Sequence, residues 1–120
     1  MTAENMLFTK NFAEVKGKQI AYIEEGQGDP VVLIHGNPTS SFLWRNIIPE
    51  LMDYGRVIVP DLIGHGDSEK LNTDEWPEKY NLESAYSYVD GLLQQVNSDK
   101  NVTLVLHDWG SAIGFLWAMR

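Results

Sequence analysis

A carboxylate stands where a short apolar run gives way to small residues. The run Val102-Thr103-Leu104-Val105-Leu106 leads into His107-Asp108-Trp109-Gly110-Ser111-Ala112. Near-continuous apolar runs of this kind form buried parallel strands. A sharp turn from such a strand into a helix lifts one side chain above the sheet, and the usual pattern around a nucleophile held there is G-x-S-x-G. The matching residues are Leu106-His107-Asp108-Trp109-Gly110, so Asp108 takes the nucleophile position. Gly110 keeps the second glycine and Leu106 replaces the first. The small residues Gly110, Ser111, Ala112 and Gly114 would let the helix start directly behind the strand. Taken alone, Asp108 reads as well as a helix N-cap, a position Asp often fills.

A second stretch gives the carboxylate chemical company. His35-Gly36-Asn37-Pro38 also follows an apolar run, Val31-Val32-Leu33-Ile34. Gly-Asn-Pro after a strand is a turn signal in its own right. The two motifs together, in this order and each at the end of an apolar run, are far more specific than either alone. A serine nucleophile must first lose a proton, whereas an aspartate is already ionised at neutral pH. Such a carboxylate forms a covalent ester by attacking a carbon that bears a good leaving group. The growing negative charge on that group needs fixed donors in a dry pocket. The indole N–H of Trp109 and the amide of Asn37 are suitable donors. Their backbone N–H groups would form the oxyanion hole for later hydrolysis of the ester.

The elements around these residues alternate. Residues 8–15 and 19–24 read as a hairpin across the turn Lys16-Gly17-Lys18, with Ile20, Tyr22 and Ile23 toward the core. A loop over 25–30 precedes a buried strand at 31–34. Ser40 or Ser41 caps a helix with Leu43, Trp44, Ile47 and Leu51 at helical spacing, which Pro49 kinks or divides and Gly55 ends. Residues 57–59 are another buried strand, and 60–68 a glycine-punctuated loop. Residues 69–79 read as surface loop. Asn81 caps a helix whose face is Leu82, Ala85, Val89, Leu92, Leu93 and Val96. The helix after Asp108 starts near Ser111 and carries Ile113, Phe115, Leu116 and Trp117. A hairpin followed by alternating units predicts an α/β fold, a mostly parallel sheet with helices on both faces. Right-handed crossovers would bring the strands before Asn37 and Asp108 to one carboxyl edge, where sites of such folds lie.

Composition narrows the function classes. The chain has 120 residues, at most one domain, and a net charge of −8 with no basic stretch. That argues against nucleic acid and against anionic membrane surfaces as partners. No cysteine is present, so no thiolate nucleophile or disulfide framework exists. Three scattered histidines do not suggest a metal. The first six residues lack the basic and apolar regions of a signal peptide, no apolar run is long enough to span a bilayer, and the default compartment is cytoplasmic.

The stretches His35–Ser41, Trp44–Pro49, Pro60–Ser68 and His107–Ala112, taken in order, resemble the haloalkane dehalogenases of the α/β-hydrolase superfamily. The resemblance covers most of the chain. It implies an α/β-hydrolase fold in which Asp108 is the nucleophile and Asn37 and Trp109 bind the halide. The implied reaction is hydrolytic: a small halogenated aliphatic and water give an alcohol, a halide ion and a proton. No metal or organic cofactor is implied. The Asn37–Trp109 pairing resembles the branch whose catalytic acid is a later glutamate. The histidine base of the family also comes late, after a cap domain, and residues 1–120 contain neither. His107, next to Asp108, would point to the opposite face. His35 reads as structural or positioning, and His65 as a surface or supporting residue. Residues 1–120 are therefore expected to be the N-terminal part of an α/β-hydrolase core, with the remaining C-terminal part of the same protein as partner. Two further signs agree. The last helix reaches Arg120 uncapped, and the strand before Asp108 is too apolar for a sheet edge.

Other readings compete. Epoxide hydrolases resemble the chain at His107-Asp108-Trp109-Gly110, but usually carry an aromatic or apolar residue where Asn37 sits. Coelenterazine-type luciferases resemble it at both motifs. A third reading is a non-catalytic half that only binds its complement. Trp44, Trp117, Phe42 and Tyr22 read as packing residues, Trp76 as a surface anchor, and Asp61 as structural, holding its loop by hydrogen bonds to backbone.

Overall fold

Lys16 and Gly17 both take positive φ, 53° and 81°, in the two-residue turn between strands β1 (Asn11–Val15) and β2 (Lys18–Glu25). Paired positive φ values match the right-handed twist of the strands they join. Val15 pairs with Lys18 and Asn11 with Tyr22, as the hairpin reading requires. The coordinates are a computed structural model and describe residues 8–36, 40–70, 81–96 and 100–119.

Three parallel strands complete the sheet: β3 (Pro30–Ile34), β4 (Arg56–Pro60) and β5 (Thr103–Leu106). The order is β1-β2-β4-β3-β5, with β2 antiparallel to β4 and β3 parallel to both β4 and β5. The sheet is thus mixed, and its parallel half carries the motifs. Among the described residues β5 is an edge strand, paired only with β3, and its residues are half-buried or exposed; this apolar edge is the feature from which a larger sheet is expected.

Alternation along the strands feeds apolar cores on both faces of the sheet. Val32, Ile34 and Ile58 face Ala85, Val89 and Leu93 of helix α2 (Leu82–Gln95) and Ile113 of helix α3 (Trp109–Met119). Leu33, Val57, Val59 and Ile23 face Trp44 and Ile48 on the other side. Each fully buried Leu, Ile or Val contributes about 1.5–3 kcal/mol. Helices therefore cover both faces, as the alternating element order implies.

The helix expected after Ser40, kinked or divided by Pro49, is divided, with the break ahead of Pro49. A 3-10 helix spans Ser41–Trp44 and a single α-turn, α1, spans Ile48–Leu51. Pro49 lies in the first turn of α1, where its missing N–H costs nothing. The division rotates the apolar face, so Ile48 is buried and Ile47 is 40% exposed, not packed as expected. Helix α2 follows the sequence closely. The Asn81 side chain accepts from the Ser84 N–H at 2.8 Å. Tyr88, absent from the expected face, is also buried.

Candidate functional site

Between β5 and α3 the chain has two residues, His107 and Asp108, and no loop. Asp108 has φ +57°, a left-handed conformation that side-chain-bearing residues seldom adopt. Such a conformation costs on the order of 1–3 kcal/mol and persists only where the surroundings enforce it. The enforcing contacts are visible. The Ser111 N–H donates to the Asp108 carbonyl at 2.9 Å and the Gly110 N–H to that of His107 at 2.9 Å, so α3 begins at Trp109, two residues earlier than expected. Any Cβ on Gly110 would overlap the carbonyl oxygen of Ile34 and lie 2.6 Å from that of His35. Only glycine lets the first turn of α3 press on the end of β3. Ser111 and Ala112 contribute less to this approach than their size implied, since neither is buried.

The register sets what faces Asp108. Ile34 pairs with Leu106, and the His107 N–H donates to the Ile34 carbonyl at 3.2 Å. Gly36 consequently lies beside Asp108, and a Cβ there would be 2.6 Å from the Asp108 Cβ and 2.7 Å from its Oδ2. Gly36 of the first motif and Asp108 of the second meet at one carboxyl edge of the sheet. The Asp108 residue is exposed, and its carboxylate makes no hydrogen bond to a described residue. The simple N-cap role therefore lacks its defining bond. What remains is a carboxylate held out on a strained bend at a helix N-terminus, where the dipole favours negative charge.

Asn37, with Pro38 and Thr39, lies outside the described residues, as does Trp76. Trp109 occupies the first turn of α3, half-buried against the apolar cluster below that helix. His107 is exposed and meets Trp44 edge-on, with ring centroids 6.4 Å apart at 89°. It lies on the Trp44 side, as alternation along β5 predicts. Trp117 was expected as packing only; its indole N–H also donates to Asp90 Oδ1 at 3.0 Å, tying α3 to α2.

His35 is fully buried and bridges two elements. Its Nδ1 lies 2.6 Å from the Gly36 carbonyl, and its Nε2 accepts from the Leu62 N–H at 2.9 Å. An Nε2 that accepts requires the proton on Nδ1, so the ring is neutral. Burial lowers its pKa to about 4, because the charged form would lose its hydration. His65 lies against it with ring centroids 5.4 Å apart.

Asp61 is the other buried anchor, also wholly inaccessible. Its Oδ1 accepts from the Ser41 N–H at 2.7 Å and its Oδ2 from the Asp67 N–H at 3.1 Å. The structural role expected of Asp61 is correct, but its reach is wider than its own loop. Lys10 Nζ lies 2.5 Å from Asp61 Oδ2 and 2.8 Å from Asp67 Oδ2. Burial alone would lower the Lys10 pKa; hydrogen bonds and Coulombic attraction from Asp61 and Asp67 outweigh it, and the net shift is upward. Lys10 escaped the sequence reading because nothing local marks a lysine whose partner is 51 residues away. Among the described residues no group of acidic residues and histidines is arranged to hold a metal, and no helix is long and apolar enough to cross a membrane.

A parallel half-sheet flanked by helices, with a left-handed acidic residue between strand and helix, defines an α/β protein built on a nucleophile-elbow turn. The family model described as the alpha/beta hydrolase fold matches residues 29–120. The chain belongs to the alpha/beta hydrolase fold family. It is 52% identical over 111 residues to a haloalkane dehalogenase of Sphingobium indicum, covering 92% of this chain and 37% of that protein. Among solved structures, the haloalkane dehalogenase DatA of Agrobacterium tumefaciens C58 matches with a TM-score of 0.82 at 43% identity, over 92% of this chain and 36% of that one. The epoxide hydrolase CorEH matches with a TM-score of 0.83 at 38% identity, over 92% and 37%. The chain thus spans little more than a third of the length of these relatives.

Proposed function

We propose that this chain is the nucleophile-bearing, N-terminal part of a hydrolytic haloalkane dehalogenase. The observation that carries the reading is the exposed Asp108 carboxylate, held at φ +57° against Gly36 at the carboxyl edge of β3 and β5. A carboxylate oxygen of Asp108 attacks the carbon that bears the halogen. The carbon–halogen bond breaks, and its electron pair leaves as halide. The side chains of Asn37 and Trp109 stabilise that anion, and their backbone N–H groups the oxyanion of the second step. Water then cleaves the ester, restoring the carboxylate and releasing an alcohol and a proton. The dehalogenase named among the relatives supports this substrate class.

No described histidine fits the base that activates this water. His35 is neutral and committed on both nitrogens, His65 packs against His35 with its Nδ1 3.0 Å from the Ile63 carbonyl, and His107 lies on the Trp44 side. In this reading the base, the catalytic acid and the cap come from a C-terminal part of the same protein, consistent with the share of the relatives that is covered. The reaction needs no cofactor, and the cytoplasm is its compartment.

A second reading, epoxide hydrolysis through the same aspartate, is favoured by the likeness to CorEH. Asn37 argues against it, because an amide at that turn suits a departing halide. The test is bromide release from 1-bromobutane or 1,2-dibromoethane by the full-length protein, with diol formation from an epoxide run beside it. Bromide release is expected, abolished in Asp108→Ala and reduced on the order of tenfold to a thousandfold in Asn37→Ala and Trp109→Leu. Diol without bromide would transfer the assignment to the epoxide reaction. Light emission from a luciferin without bromide would transfer it to the luciferases. Undiminished activity in Trp109→Leu would remove the halide role of that indole.

A further inference from the structure

We propose that His35 is a positioning residue for the alkylation of Asp108, holding the Gly36 backbone against the Asp108 carboxylate through its two ring nitrogens. The inference rests on the reading of Asp108 as the nucleophile. Two steps connect the ring to the carboxylate. The His35 Nδ1–H donates to the Gly36 carbonyl at 2.6 Å, and Nε2 accepts the Leu62 N–H at 2.9 Å. Gly36 in turn lies directly on the nucleophile, where a Cβ would come within 2.6 Å of the Asp108 Cβ and 2.7 Å of its Oδ2. Gly36 does not take a positive φ, so space and not backbone conformation requires glycine there. The His35 carbonyl meets the far side of the same bend, 2.6 Å from where a Gly110 Cβ would stand.

The pairing of β3 with β5 ends at Ile34 and Leu106, short of Gly36. Beyond that point the imidazole takes over. It links the Gly36 carbonyl to Leu62, just past β4, the strand that flanks β3 on the side away from β5. Gly36 is thereby anchored from the side opposite the strand that carries Asp108. A neutral imidazole offers one donor and one acceptor on a single rigid ring, and burial fixes the ring itself. Wholly inaccessible, His35 cannot reach a substrate, so its part is to aim the nucleophile and not to move a proton. Attack needs the carboxylate oxygen aligned with the carbon, and a misplacement of about 1 Å costs on the order of a hundredfold. Without the ring's bonds the Gly36 backbone is free to shift against Oδ2, and the carboxylate shifts with it.

Halide leaves in the alkylation step, so bromide release from 1-bromobutane with the full-length protein in excess reports that step alone. His35→Leu is expected to lower the saturating single-turnover rate per folded molecule roughly tenfold to a hundredfold, with the half-saturating protein concentration little changed. The amide variants each keep one of the ring's bonds: His35→Asn retains a donor for the Gly36 carbonyl, and His35→Gln an acceptor for the Leu62 N–H. Both should fall between His35→Leu and the wild type. Gly36→Ala, whose Cβ would occupy the place of the carboxylate, should slow the same step. A wild-type rate per folded molecule in His35→Leu overturns the proposal, even with a lowered Tm. If His35→Leu does not fold, wild-type rates in both amide variants overturn it. A wild-type rate in Gly36→Ala overturns it whatever the His35 variants do, since the contact with Asp108 would then carry no constraint. A wild-type protein that releases no bromide overturns the dehalogenase reading, and this inference falls with it.

Discussion

Single residues set the acid sensitivity of this site. His35 is held neutral by burial, with a folded-state pKa of about 4 against an ordinary value of 6.5. Between those values the unfolded chain binds a proton that the folded chain does not. The stability that His35 contributes is therefore whole above pH 6.5 and is lost as the pH drops toward 4, about 3 kcal/mol at about 1.4 kcal/mol per unit. Urea midpoints of the full-length protein at pH 7 and pH 4.5 measure this. His35→Gln should be less stable at pH 7 and show a shallower slope; an unchanged slope would mean that other groups carry the acid response. Asp108 shows how far single residues were legible. Its place in the pattern of residues 106–110 was readable because spacing along the chain defines it. Its left-handed backbone was not readable, because that follows from Gly110 meeting the carbonyls of β3.

At the scale of elements, the junction of β5 and α3 reverses an ordinary rule. Replacing glycine by alanine within a helix normally stabilises it by roughly 0.5–1 kcal/mol. At Gly110 the added Cβ would overlap backbone carbonyls of Ile34 and His35, which cannot turn aside as a flexible side chain can. Gly110→Ala should therefore destabilise by about 1–3 kcal/mol, the usual cost of overpacking. Chemical denaturation of the full-length protein checks the sign. The strands and α2 were legible, since periodicity and the Asn81 cap are local signals. The break between the 3-10 helix and α1 was half-legible. Pro49 announced a disruption, but the burial of Ile48 in place of Ile47 depends on how each short piece lies on the sheet.

At the scale of the whole molecule, the outer edge of β5 is open among the described residues, and α3 beside it exposes Phe115 at 64% and Met119 at 82%. Unpaired strand edges next to exposed apolar side chains template association. Residues 1–120 expressed alone should self-associate, as seen by light scattering at micromolar concentration. A monomeric, cooperatively unfolding 120-residue chain would contradict this. The net charge of −8 opposes association but leaves the edge unpaired.

Sequence alone determined the element order, the two apolar faces of the strands and the acidic residue at the strand-to-helix turn. Each is written in neighbouring residues by period, cap or turn chemistry. Tertiary structure alone decided that β3 and β5 lie side by side, that Gly36 rests on the Asp108 carboxylate, and that Lys10 reaches Asp61. Those contacts join residues far apart in the chain, and only the packed sheet brings them within reach of one another.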